Sequence, residues 1–224
     1  MGPVIGDILP LALGVAISPI PIIAAILMLL SPKARGTSLG FLLGWVLGIV
    51  VAVVLFTLLS TVIPHGDDAE QSKPVVGTIT IILGLLLLVL AVQQWRGRPK
   101  AGTEPALPKW MSAIDTMTGA RALVLGFLLS ALNPKNLLMG VAAGVAIGSD
   151  AQTTAETVVA VIVYTVIAAS TVAIPVIAYL AASARMARPL ESLRTWLVYN
   201  NATIMAVLLL VIGVVLIGKG LGEF

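Results

Sequence analysis

Residues 130–140 read SALNPKNLLMG and lie inside a run, Ala122 to Ile147, that is otherwise almost entirely apolar. Such a run is long enough to cross a bilayer, which takes about 20 apolar residues. Near its centre stand a helix breaker, Pro134, a cation, Lys135, and two amides, Asn133 and Asn136. A lysine at the middle of a spanning helix costs about 2.5–3.5 kcal/mol on insertion scales. Proline there removes a backbone donor and frees carbonyls, which lipid tolerates only where protein or a wet cavity satisfies them. The stretch therefore reads as a broken span whose interruption faces protein or water and not lipid.

The surrounding chain supports a spanning reading. Of its 224 residues, 59% are hydrophobic and only 10% charged, whereas a soluble domain carries about a quarter charged. Mean hydropathy is +1.10. Six candidate spans follow, at 4–30, 37–63, 74–95, 121–147, 155–182 and 198–219. The fold class expected is an all-α integral membrane protein. Its first three-helix half covers 1–95, a Pro-rich cytoplasmic linker 96–120, and a second three-helix half 121–224. The apolar N-terminus has no basic leader and no small-residue cleavage site, so it reads as a retained span.

Basic residues set the orientation. Ten of the 13 Lys and Arg fall in alternate loops: Lys33 and Arg35; Arg96, Arg98, Lys100, Lys109 and Arg121; Arg185, Arg188 and Arg194. The opposite loops are acidic, with Asp67, Asp68 and Glu70, then Asp150 and Glu156. Basic loops inside place both termini outside the cytoplasmic (inner) membrane. The same distribution accounts for the net charge of +3 as topology signals and contacts with anionic lipid, with no nucleic-acid surface. Two cytoplasmic stretches, Pro108 to Met117 and Pro189 to Leu197, begin with proline and space apolar residues three to four apart. They are expected to lie along the membrane surface.

Several chemistries are excluded by what is missing. There is no cysteine, hence no thiolate metal site and no catalytic thiol. The single histidine, His65, stands in a polar loop. No GxxxxGK[ST], HExxH or intramembrane carboxylate pair is present. No cofactor, no metal and no enzymatic activity are expected.

The leading span of the first half carries its own break, Ser18-Pro19-Ile20-Pro21, preceded by Gly14, as Gly126 precedes Asn133-Pro134-Lys135-Asn136. At about 1.5 Å per residue, Pro19 and Lys135 both fall near mid-membrane. Paired interrupted helices at matching places of two oppositely oriented halves point to a transporter site. Ser18, Pro19, Pro21, Asn133, Pro134, Lys135 and Asn136 are the candidate transport residues, with Tyr164 as a further cavity residue. Lys135 has a structural role open to it, capping carbonyls released by the break, and a functional one, meeting a substrate anion or taking part in proton coupling. Gly36, Gly40, Gly44 and Gly48, and Gly140, Gly144 and Gly148, recur every fourth residue. Such rows let helix backbones approach closely, within the protomer or across a dimer.

The order Arg121…Gly126-Phe127…Leu132-Asn133-Pro134-Lys135 resembles the second-half signature of the LysE/RhtB exporter superfamily. Ser18-Pro19-Ile20-Pro21 followed by the spaced glycines is similar to its first-half pattern, with Ile20 standing where a small residue is usual. Within the superfamily, the opening MGPVIGDILPLALGVAISPIPI and the long Pro-rich central loop look most like the GAP family, the glycolipid- and sulfolipid-addressing proteins. That resemblance implies export of an amphipathic cell-envelope glycolipid, a homodimer, and a larger lipid transporter as partner. A small-solute (amino acid) exporter and a non-transporting accessory factor are the alternatives.

Overall fold

The computed structural model describes residues 1–60, 69–98, 109–151 and 153–224. His65, Asp67, Asp68, Lys100, Pro105 and Pro108 lie outside the described residues, as does the end of the expected 37–63 span. Among the described residues every regular element is helical. The order is α1 (Gly2–Ala16), α2 (Pro19–Leu29), α3 (Ala34–Ser60), α4 (Ala69–Arg96), a 3-10 helix (Lys109–Thr116), α5 (Gly119–Ala131) and α6 (Pro134–Asp150). The run Thr154–Leu221 is interrupted at Ala182 (φ −148°, ψ 54°). It gives α7 (Thr154–Ser183) and α8 (Arg185–Leu221).

Four helices are long and apolar enough to cross a membrane, and up to six spans result if each bent pair counts as one. The bent pairs are α1–α2, with 51° between axes, and α5–α6, with 62°. Both bends have the same cause. Pro19 and Pro134 each occupy the first turn of the following helix, where a missing N–H costs nothing and the fixed φ suits the helix. That ring leaves the preceding helix without a donor to continue it, so the axis turns.

The exterior is apolar, with residues such as Leu43, Val166 and Ile174 more than 60% exposed. A surface of that kind suits lipid and not water. Inside, Phe41 and Trp45 of α3 are fully buried and stacked, ring centroids 6.4 Å apart.

The two halves interlock. The broken span of the second half packs along α3 of the first, and the broken span of the first packs on α7 and α8. Glycines make the first contact. A Cβ on Gly40 would strike the carbonyl of Gly119, on Gly44 the backbone of Leu123, on Gly126 the backbone of Phe41. Gly48 admits Ser130, while Gly144 and Gly148 admit Phe56, Thr57 and Ser60 from the far end of α3. At Gly36 a Cβ would meet open space, and at Gly140 it would make an ordinary 3.5 Å contact with Ala52. Apart from Gly36 and Gly140, the rows are thus occupied inside one chain.

Both expected surface stretches make contacts with the rest of the protein. In the 3-10 helix, Met111 and Ile114 are buried in the protein core and the element packs on α2. The stretch from Pro189 to Leu197 is continuous with the last helix. It forms the first turns of α8, whose 37 residues reach about 55 Å at 1.5 Å per residue. Leu190 and Leu197 are buried, so protein contact draws this apolar face into the last helix.

Candidate functional site

The two bends meet. At the end of α1, the Ile17 N–H donates to the Leu13 carbonyl at 2.8 Å, and the Ser18 N–H turns back to the Ala16 carbonyl at 2.8 Å. Pro19 has no N–H to offer. The carbonyl of Gly14 is therefore left without its helical donor, a buried acceptor that must find another partner. Lys135 supplies it: its Nζ donates to the Gly14 carbonyl at 2.5 Å and to Ser18 Oγ at 2.5 Å.

Five residues before Pro134, as Gly14 stands five before Pro19, the Leu129 carbonyl receives Asn136 Nδ2 at 3.0 Å. The Ser18 hydroxyl, accepting from Lys135, donates to Asn136 Oδ1 at 3.3 Å. One continuous chain of hydrogen bonds thus joins the end of α1, the start of α2, the first turn of α6 and the end of α5. Ser18, Lys135 and Asn136 are each 3% exposed. A neighbouring tie comes from α7, where Thr171 Oγ1 donates to the Ala16 carbonyl at 2.5 Å.

The fields of the helix ends explain the reach of Lys135. It sits in the first turn of α6, where the positive end of the helix dipole disfavours a cation. Its ammonium crosses instead to the last turn of α1, the negative end, where a cation is favoured. No carboxylate among the described residues pairs with it. The recorded ion pairs lie elsewhere: the Met1 amino group with Glu156, Lys219 with Asp7, and Arg194 with Glu191.

Gly14 is the close-approach point. A Cβ there would lie 2.5 Å from Met139 Sδ and 2.6 Å from Ile212 Cδ1, so the ends of these two side chains from α6 and α8 fill the space that the glycine leaves. Met139 is fully buried. On its far side, toward the chain termini, a cavity of about 50 Å³ is lined by Asp7, Leu11, Ala142, Ser149 and Lys219 among others. In this conformation the lysine is enclosed by protein.

Of the residues singled out from sequence, Ser18, Lys135 and Asn136 come together as side chains. Pro19 and Pro134 create the two helix starts. Asn133 caps α6, its side chain accepting from the Lys135 backbone N–H at 3.1 Å, and Pro21 is buried in the first turns of α2. Tyr164 stands apart: it is 1% exposed, a core residue of α7, and takes part in none of the hydrogen bonds of the cluster.

Sequence reasoning missed Thr171 and Met139, both read as ordinary span residues. It also missed a second glycine ladder. Gly77 and Gly84 of α4 face Gly220 and Gly213 of α8, each admitting the other's carbonyl within 3 Å of a Cβ. Their seven-residue spacing was visible in the sequence, but only four-residue rows were sought.

A model of the family described as Sap, sulfolipid-1-addressing protein, matches residues 8–222, a range that includes every residue of this cluster. No curated protein and no solved structure matches the chain.

Proposed function

Because this chain belongs to the sulfolipid-1-addressing protein family, among the glycolipid-addressing proteins, we propose that it exports an amphipathic, anionic cell-envelope glycolipid across the inner membrane. The role is transport or flipping and not catalysis. One observation carries this reading: a buried ammonium with no carboxylate partner among the described residues, held by two neutral acceptors from the opposite half of the chain.

A sulfate, phosphate or carboxylate head is a better partner for that ammonium than a carbonyl and a hydroxyl, because hydrogen bonds between ionised groups are about twice as strong as neutral ones. The anion would displace the Gly14 carbonyl and Ser18 from Lys135. Acyl tails would stay against the apolar exterior. Separation of the α1–α2 bend from α6 opens the cluster, and its two bends let it open toward either face.

In this proposal the chain has six spans in two halves of inverted topology. Support comes from the equal placement of the Gly14 and Leu129 carbonyls before their prolines, and from the basic loops on alternate sides. Both termini lie outside. The pairing of Met1 with Glu156 and of Asp7 with Lys219, which gathers the start of α1, the start of α7 and the end of α8, is consistent with that.

The test compares surface-extractable with total lipids by mass spectrometry in wild type, deletion strain and complemented strains. One lipid class retained inside the deletion strain and released by wild type supports the proposal. Unchanged lipids with altered amino-acid efflux would replace it with small-solute export. Purified protein that moves neither labelled lipid nor amino acid in proteoliposomes, yet co-purifies with a larger lipid transporter, would make it an accessory factor.

A further inference from the structure

The ladder between α4 and α8 ends in a groove. At its glycine rungs, Gly77 with Gly220 and Gly84 with Gly213, the backbones touch. Seven residues on, the next rung in the same antiparallel register is Ala91 with Ala206, both buried. At that rung methyl groups stand in place of hydrogens, and both alanines line a space of about 410 Å³. That volume lies within the roughly 300–1,000 Å³ range of small-molecule sites. Its walls are Ala91, Val92 and Trp95 of α4 and Val207 and Leu210 of α8, with Arg96 at one end.

We propose that this groove binds one acyl chain of an anionic bilayer lipid, with the charged head group on Arg96. Val92, Val207 and Leu210 are about half exposed, so the groove opens sideways to the surroundings of the apolar helices, where lipid chains are. Arg96 supplies the charge. No carboxylate among the described residues pairs with Arg96 or Arg98. Arg98 is engaged otherwise, its guanidinium 3.9 Å from the centre of the Trp95 ring and its Nη1 donating to the Trp95 carbonyl at 3.2 Å. That arrangement fixes the indole as the side wall and leaves Arg96 facing the head group.

The occupant is a lipid and not a soluble anion because the cavity behind the cation is apolar. It is anionic and not zwitterionic because no acid among the described residues stands at the basic end to receive a choline or amine. The site does not depend on the transport reading of Lys135, though α8 links the two: Leu210 lines the groove and Ile212 packs against Gly14.

Trp95 is a built-in reporter. The full chain carrying Trp110→Phe and Trp196→Phe is placed in phosphatidylcholine nanodiscs containing dibrominated phosphatidylglycerol or dibrominated phosphatidylcholine. The fluorescence of Trp95 is read against a Trp95→Phe control that retains only the buried Trp45. Half-quenching is expected at about fivefold lower mole fraction of the brominated phosphatidylglycerol, the effect of one basic residue at a membrane surface. Arg96→Gln removes that preference, Arg98→Gln keeps it, and Val207→Phe, which fills the groove from its exposed side, weakens quenching by both lipids. Equal quenching by the two lipids, or a preference that survives Arg96→Gln, overturns the proposal. So does spontaneous disulfide dimerisation of Val207→Cys with no lipid quenching, which would make the groove a contact between two copies.

Discussion

Replacing Lys135 by methionine separates a structural lysine from a transporting one, and the cluster sets the magnitudes. The substitution leaves the Gly14 carbonyl buried and unpaired, which costs about 1–3 kcal/mol. It also removes a buried charge that costs about 2.5–3.5 kcal/mol at mid-membrane. The unbranched methionine keeps the volume beside Met139, and Ser18 still has Asn136 as acceptor. The two large effects oppose each other, so net stability should change by no more than about 2.5 kcal/mol. Membrane abundance and detergent melting temperature should stay close to wild type.

Function should not. An interaction of the ammonium with an anionic head group contributes about 1.5–3 kcal/mol, so its loss weakens substrate engagement by about ten- to a hundredfold. The assay is the ratio of surface-extractable to total lipid in the deletion strain complemented by wild type or Lys135→Met, normalised to protein abundance. Export by Lys135→Met within twofold of wild type would refute the reasoning. So would a variant that vanishes from the membrane, because the lysine would then be holding the two bends together and nothing more.

Asn136→Leu should be the more destabilising change at the same site, by about 2–4 kcal/mol, since it strips partners from the Leu129 carbonyl and the Ser18 hydroxyl with no charge relieved; a melt above that of Lys135→Met contradicts this. Gly44→Ala should lower the melting temperature, as its methyl overlaps the Leu123 backbone at an overpacking cost of about 1–3 kcal/mol. Gly36→Ala and Gly140→Ala, with open space and an ordinary contact respectively, should melt like wild type, and equal loss at all three would sink the packing account. Asp7→Asn should cost less than about 1 kcal/mol, because the pair with Lys219 is partly exposed; a double-mutant cycle with Lys219→Met measures that coupling.

Membership of a membrane family, the helical class and the two broken spans were legible in the sequence because their causes are local. Proline lacks an N–H wherever it stands, twenty apolar residues span lipid whatever surrounds them, and a mid-span lysine is costly in any helix. Those rules located Pro19, Pro134 and Lys135 without knowing one neighbour. Which acceptor satisfies Lys135, and whether the site is open, are decided by which helices touch. Only the packed chain brings Gly14 of the first half within reach of α6 of the second, with the side-chain ends of Met139 and Ile212 packed against it. The interlocking of the halves, the use of the glycine rows inside one chain and the groove below Gly84 are of the same kind. Each depends on distances between backbones far apart in sequence, and no periodicity along one strand of letters records those distances.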